Sequence, residues 1–232
     1  MRILGIESSS LVASVALVTD DILTAEYTVN FKKTHSQTLL PMIDEMMSLL
    51  EIEPETVDAI AISGGPGSFT GLRIGSATAK GLGLALNKPL IHVPTVDAMA
   101  YNLYSSSALI CPIMDARRSQ VYTGFYHFKD RFEIVKSQCP MHVEDLAEEL
   151  NRIGEKVIFL GDGVPVYRQQ LESLLNVPCD FAPAHVNRQR AGAVAALGAV
   201  YYREGKTEPA ADHGPEYLRK SQAERERDGE IL

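Results

Sequence analysis

The residues best placed for chemistry in this 232-residue sequence are the glycines and hydroxyl side chains of one run, GGPGSFTGLRIG, at positions 64–75. The run lies between a predicted buried strand and a predicted helix, where free backbone N–H groups can hold a phosphate. The phosphate-loop motif requires Lys and then Ser or Thr after its second glycine, but Leu72 and Arg73 follow Gly71. The dinucleotide-binding motif also fails, because Thr70 occupies the position of its third glycine.

The helix predicted after this run carries a small residue at every fourth position. Residues spaced by four share one face of a helix. Each glycine inside a helix costs roughly 1 kcal/mol relative to alanine, so repeated glycines indicate that something approaches this face closely. The residues of the row are Gly71, Gly75, Ala79 and Gly83.

The first predicted helix runs from a capping box at Thr34 and Gln37 to about Leu50. Its apolar arc spans about half of the circumference, which is more than one core requires, and its methionines suit an adaptable contact surface. The two helices are either fully internal or form a protein–protein interface. We favour the interface, with Leu40, Met47, Gly71, Arg73, Gly75, Ala79 and Gly83 as its residues.

The composition is that of a soluble globular protein, with a formal net charge of -8 that argues against unaided binding of nucleic acid. Cys111, Cys139 and Cys179 form no CxxC pair, which disfavours a zinc site or a disulfide framework. The apolar run at the N-terminus stops at Glu7, and no run approaches the roughly 18 residues of a membrane helix. We therefore expect a cytoplasmic protein that does not contact membranes.

The elements that position these residues follow the order β-β-β-α-β-α, once in full and a second time in reduced form. The first three strands are Arg2–Ser8, Val12–Thr19 and Ile22–Asn30, with Asp20 and Asp21 as a tight turn. This order predicts an α/β protein with two RNase H-like lobes, as in the ASKHA (actin/Hsp70/hexokinase) superfamily, the second lobe being reduced. The expected boundaries are 1–106, 107–204 and a polar C-terminal tail at 205–232.

Several segments together resemble the TsaB (YeaZ) family. They are GIESS at 5–9, THS at 34–36, the glycine-rich run at 64–75, MDARR at 114–118 and PEYLR at 215–219. The resemblance covers nearly the whole chain and implies the ASKHA fold. It also implies an essential subunit that binds TsaD, works with the ATPase TsaE and contacts tRNA indirectly, during threonylcarbamoyl transfer to the adenosine next to the anticodon. The resemblance further implies homodimers, formed through the face that TsaD otherwise uses.

The chain lacks the metal ligands of the catalytic relative TsaD. That relative binds metal with a His-x-x-x-His motif, and Thr95 and Met99 occupy the corresponding positions here. Neither is a good ligand for a hard or borderline divalent ion, and no two histidines are spaced i,i+4. We therefore expect no catalytic residue and no intrinsic cofactor or metal, with ATP or ADP and the metal bound by partner subunits.

Nucleotide binding by the chain itself stays open at this point. The turn Glu7-Ser8-Ser9-Ser10 occupies the first phosphate position of ASKHA kinases, but Glu7 replaces the usual Asp. Asp115 occupies the second position, and Gly161-Asp162-Gly163 matches the adenosine loop loosely. These turns are inherited without a ligand, bind ATP alone, or bind it jointly with a partner. The other functions considered are a small-molecule phosphotransferase and a metalloprotease, although neither HExxH nor GxSxG occurs.

Overall fold

The computed structural model describes residues 1–31 and 34–218. Its first sheet has five strands in the order β3-β2-β1-β4-β5. The first three strands are antiparallel, and the last two run parallel to β1. The strands are β1 (Arg2–Glu7), β2 (Val12–Thr19), β3 (Ile22–Asn30), β4 (Ala59–Gly65) and β5 (Leu90–Pro94).

Helices cover both faces of this sheet. On one face lie α1 (His35–Leu50) and α2 (Phe69–Leu86), whose apolar residues share a core cluster with β1, β2 and β4. The other face is covered by α3 (Thr95–Tyr101) and α6 (Ala191–Arg203). This two-sided covering explains why β1 and β4 are almost continuous apolar runs, since no face of these strands meets water.

The second sheet repeats the topology of the first, in the order β10-β9-β6-β7-β8. Its strands are β6 (Leu109–Arg117), β7 (Gln120–Phe128), β8 (Phe132–His142), β9 (Val157–Leu160) and β10 (Cys179–Phe181). Helices α4 (Val143–Ile153) and α5 (Val164–Leu174) pack on one face of it. Helix α3 lies between the two sheets, because Val96, Met99 and Ala100 share a core cluster with β6 and β7. The predicted pair of RNase H-like lobes is confirmed.

Of two local predictions about turns and caps, the first is confirmed and the second is wrong. Asp20 and Asp21 both have positive φ angles and form the tight turn between β2 and β3, as expected. The capping box at the start of α1 does not form, because the Thr34 side chain makes no capping hydrogen bond and only its carbonyl oxygen accepts from Gln37 N–H, at 2.9 Å.

The predicted boundary of the second lobe differs from the structure. The range 107–204 places helix α6 in the second lobe, but Val194, Ala195 and Leu197 lie in the core of the first sheet with Ile3 and Ile91. The chain therefore returns to its first lobe after building the second. The small residues of α6 let this helix lie close to the first sheet.

The C-terminal segment stays with the first lobe as well. A bridge pairs Glu208 with Leu90, and the Lys80 ammonium donates to the carbonyl oxygens of Ala211 and His213. The polar tail predicted at 205–232 is thus packed against the first lobe as far as residue 218. Its remainder at 219–232, which includes Arg219 of the PEYLR segment, lies outside the described residues. In the part of the chain that the structure describes, no helix is long and apolar enough to cross a membrane.

Candidate functional site

A cleft of about 840 Å³ lies between the two lobes. Its walls are the turn after β1, the glycine-rich run, the β6–β7 turn and the C-terminal segment at 216–218. Of the predicted nucleotide-binding residues, Ser9, Ser10, Asp115 and Asp162 line this cleft, whereas Glu7, Ser8, Gly161 and Gly163 do not. The structure therefore brings only part of the predicted set together around one space.

Several hydrogen-bond donors at the first phosphate position bond within the chain. The N–H of Ser9 donates to Glu7 Oε1 at 2.6 Å, and the N–H of Ser8 reaches Ser63 Oγ at 3.4 Å. The Ser8 hydroxyl donates to the carbonyl oxygen of Gly71 at 3.0 Å. These donors are already used within the chain and are not available to a phosphate, whereas the buried Ser9 hydroxyl has no hydrogen-bond partner in the described chain.

The glycine-rich run explains how this turn is closed. The N–H of Ser68 donates to the carbonyl oxygen of Ser9 at 2.6 Å. A Cβ atom at Gly67 would overlap the same oxygen, and a Cβ atom at Gly71 would overlap the carbonyl oxygen of Ser8. The glycines are therefore needed for close packing of the run and of the start of α2 over the Ser8–Ser9 turn.

Glu7 is buried beneath this turn. Burial raises the pKa of its carboxyl from the ordinary value of 4.5 to about 7, although hydrogen bonds from Ser9 and Ser63 oppose the change. Near neutral pH the group is thus divided between its neutral and ionised forms. A carboxyl in this state is a poor counterpart of the ionised Asp that binds metal–nucleotide complexes.

The second phosphate position is acidic. Asp115 accepts hydrogen bonds from Arg117 N–H at 2.8 Å and from the Tyr167 hydroxyl at 2.9 Å. Asp162 accepts from Gln189 Nε2 at 2.9 Å, and burial raises the pKa of its carboxyl. Among the described residues that line the cleft, the carboxylates of Asp115, Asp162 and Glu216 outnumber the one arginine, Arg117. This arrangement disfavours a bare phosphate.

The glycines of the predicted adenosine loop pack internally. A Cβ atom at Gly161 would overlap the carbonyl oxygen of Ile113, and one at Gly163 would lie 3.0 Å from the same oxygen. Gly161 also has a φ of +111°, which other residues rarely adopt. Both glycines therefore let the turn after β9 pack against Ile113 of β6, and neither of them lines the cleft.

The small-residue row on α2 faces inward, which corrects the interpretation that another chain packs against it. Gly71 and Gly75 lie against Ser8, and a Cβ atom at Gly83 would crowd Ala210 and Leu90. Ala79 is buried in the core beneath the first sheet. The glycines are therefore explained by the close approach of this chain's own strand and C-terminal segment.

The remaining predicted interface residues divide between core and surface. Met47 is buried, whereas Leu40 is 50% exposed. Arg73 is exposed, stacks its guanidinium over Phe69 at 4.0 Å and donates to the Tyr217 hydroxyl at 3.3 Å.

Sequence reasoning missed the outer row of α2. Ala77, Gly81 and Ala85 are exposed, and nothing in the described chain lies within 4 Å of a Cβ atom placed on Gly81. Leu84 beside them is 61% exposed. The sequence contained the signal, because this second row also repeats every four residues, but spacing alone could not tell which row faces outward.

Thr95 and Met99, which stand where the family resemblance implies a histidine pair in TsaD, are both buried. Thr95 Oγ1 accepts a hydrogen bond from Gly65 N–H at 3.2 Å, and the Met99 methyl group packs against Gly161. Elsewhere, His92, Glu208 and His213 are the one group of described residues that could hold a metal ion.

Comparison with known proteins places this geometry in a family. The family model described as "TsaD: tRNA N6-adenosine threonylcarbamoyltransferase" matches residues 25–227. The tRNA threonylcarbamoyladenosine biosynthesis protein TsaB of Bacillus subtilis (strain 168) is 35% identical, over 97% of this chain and 96% of its own length. The TsaB protein of Escherichia coli (strain K12) is 27% identical over 96% of each chain.

Solved structures agree. YeaZ from Pseudomonas aeruginosa superposes with a TM-score of 0.79 at 25% identity, over 94% of this chain and 99% of that one. An inorganic polyphosphate/ATP-glucomannokinase from Arthrobacter sp. strain KM superposes with a TM-score of 0.52 at 12% identity, over 88% and 99%. The second likeness shows the fold alone. The chain belongs to the TsaB (YeaZ) family, whose members are named for tRNA threonylcarbamoyladenosine biosynthesis.

Proposed function

We propose that this chain is a non-catalytic subunit that binds a TsaD-type subunit for threonylcarbamoyl transfer to tRNA. The observation that carries the proposal is the Ser8–Ser9 turn, which is hydrogen-bonded to the chain's own glycine-rich run instead of presenting these groups to a phosphate. The buried Thr95 and Met99 in place of a histidine pair support the same conclusion. Membership of the TsaB (YeaZ) family supports a role in tRNA threonylcarbamoyladenosine biosynthesis.

The surface proposed for the partner is the outer α1–α2 face, defined as Leu40, Leu49, Arg73, Gly81 and Leu84. Its three leucines are exposed although they lie on helices whose other sides fill a core. Gly81 weakens α2 by roughly 1 kcal/mol relative to alanine, and no close contact within the described chain explains it. Close approach of a second protein backbone would account for both features.

Partner subunits supply the chemistry in this proposal. ATP or ADP and the metal ion bind to the TsaD-type and TsaE-type subunits, and this chain contributes no catalytic group. The net charge of -8 and the carboxylates of the cleft fit indirect contact with tRNA through the complex. Without the partner, two copies pair through the outer α1–α2 face.

Binding measurements with surface variants test this assignment. Leu40→Asp and Leu84→Asp each place an unpaired charge in the proposed interface, so we expect at least about tenfold weaker binding of the TsaD-type subunit. Gel filtration should also show a shift of any homodimer towards monomer.

The matched control is Val166→Asp on α5 of the second lobe, where the valine is 58% exposed. This variant should bind the partner as the parent chain does. Unchanged affinity in both leucine variants would refute the outer α1–α2 face as the docking surface, and circular dichroism checks that all three variants fold.

A phosphotransferase is the second candidate, because the cleft has the volume of a ligand site, about 300–1,000 Å³. That function requires the isolated chain to bind ATP. Isothermal titration calorimetry with ATP and Mg²⁺ should show no binding to the isolated chain. Saturable binding that is lost in Asp115→Asn would favour the phosphotransferase instead.

A further inference from the structure

A second cluster of polar side chains lies outside the cleft, where the C-terminal segment crosses β5. It contains His92 from β5 together with Glu208 and His213 from the C-terminal segment. One ligand atom from each of the three residues lies within 4.8 Å of the others. The two imidazole rings are 5.9 Å apart between centroids. Two imidazoles and a carboxylate form a donor set that suits zinc and similar divalent ions.

His213 provides an independent sign that this cluster binds a ligand. Its side chain is 0% exposed. Its Nδ1 lies 2.6 Å from Glu208 Oε1, while its Nε2 is buried without a hydrogen-bond partner among the described residues. When a carboxylate accepts from Nδ1–H, the lone pair of Nε2 is left free to bind a metal, which is the usual arrangement behind metal-binding histidines.

The second imidazole, that of His92, is partly buried, and a neutral imidazole is the form that binds metals. Glu216 is close enough to assist, with Oε2 3.9 Å from His92 Nε2, and its side chain is half exposed.

We propose that His92, Glu208 and His213 form a binding site for a divalent transition-metal ion of the zinc type. His92 and His213 each contribute a ring nitrogen, and Glu208 either orients His213 or supplies an oxygen. The i,i+4 search of the sequence could not find this site, because its ligands come from distant segments that meet only in the fold.

The position of the site gives it a structural role. Glu208 and His213 belong to the C-terminal segment, in which the carbonyl oxygens of Ala211 and His213 accept hydrogen bonds from Lys80 of α2. A metal bound to these residues and to His92 of β5 therefore holds the C-terminal segment against the first lobe, beside α2. This role differs from catalysis, since the site does not line the cleft.

The test uses the full chain, treated with a chelator and then titrated with Zn²⁺ in competition with a chromophoric chelator. We expect one Zn²⁺ per chain, and a Tm higher by roughly 5–10 °C at a hundredfold excess of Zn²⁺ over its dissociation constant. His213→Gln and His92→Gln should each weaken binding more than about tenfold. Glu208→Gln, at a partly exposed residue, provides a milder variant if the histidine variants do not fold.

The matched control is His127→Gln, which removes another histidine paired with a carboxylate, Glu155, at 3.1 Å. It should leave Zn²⁺ affinity unchanged. A Co²⁺-loaded sample should show d–d absorption without a thiolate charge-transfer band, because the site contains no cysteine. The proposal is overturned if the parent chain binds no Zn²⁺, if Zn²⁺ binding persists at full affinity in both His213→Gln and Glu208→Gln, or if the thiolate band appears.

Discussion

The two faces of helix α2 carry the same pattern of small residues for opposite reasons. On the inner face, Gly71 and Gly75 allow the helix to lie directly on the Ser8–Ser9 turn. On the outer face, Gly81 meets nothing within 4 Å in the described chain, and Leu84 is largely exposed. The inner glycines therefore serve packing within the chain, whereas we propose that the outer one lies against another molecule. A period-four row of small residues indicates close approach, and only the fold shows to what.

The largest effect is expected from a methyl group on the inner face. Gly71→Ala forces a Cβ atom into the carbonyl oxygen of Ser8, which is backbone and cannot rotate away. We expect the free energy of unfolding to fall by about 3 kcal/mol in urea denaturation. A loss below about 1 kcal/mol would contradict the close packing of α2 on the turn.

Glu7 tests the same inner contact through pH. Because burial raises its pKa from 4.5 to about 7, the folded protein binds more protons than the unfolded chain between these values. Stability is therefore lost as the pH rises from about 4.5 to about 7, by an amount on the order of 2 kcal/mol. Glu7→Gln, which cannot ionise, should lack this loss.

The measurement is the unfolding free energy of both proteins between pH 4.5 and pH 8. The stability of Glu7→Gln relative to the parent chain should increase as the pH rises and level off above about 7. A constant difference across this range would mean that folding does not change the pKa of Glu7 and that the turn is open to water.

The smallest effect comes from the outer face, where Gly81→Ala is the matched counterpart of Gly71→Ala. Since open space surrounds Gly81, the added methyl group gains helix propensity without a clash, and the isolated chain should become more stable by about 0.5–1 kcal/mol. Urea denaturation of the two variants side by side gives opposite signs if the faces differ as described. A loss of stability in Gly81→Ala would show that this face is already packed.

Local patterns in the sequence predicted most of the fold. Period-two and buried runs identified the strands, and Asp20 with Asp21 marked the first hairpin. The Thr34 cap failed because a capping residue offers only one of several ways to satisfy the first N–H groups of a helix. The strand β10 is only Cys179–Phe181, too short for a periodic signal.

The candidate site was less predictable, because its properties depend on contacts between distant segments. Sequence placed Ser9, Asp115 and Asp162 correctly around one cleft by analogy of position. It could not show that Gly71 closes the first turn, that α6 returns to the first lobe, or that His213 meets His92. Each of these contacts joins residues that are far apart in the sequence, so no local pattern predicts it.

We propose that the chain assists a catalytic partner and has no transferase activity alone. This proposal is tested by measuring threonylcarbamoyl transfer to tRNA by TsaD-type and TsaE-type subunits, with and without this chain. We expect no modified adenosine with this chain alone, little with the partners alone and full modification when all are combined, with the combined activity reduced by Leu84→Asp. Full modification without this chain, or modification by this chain alone, would show that the proposal is wrong.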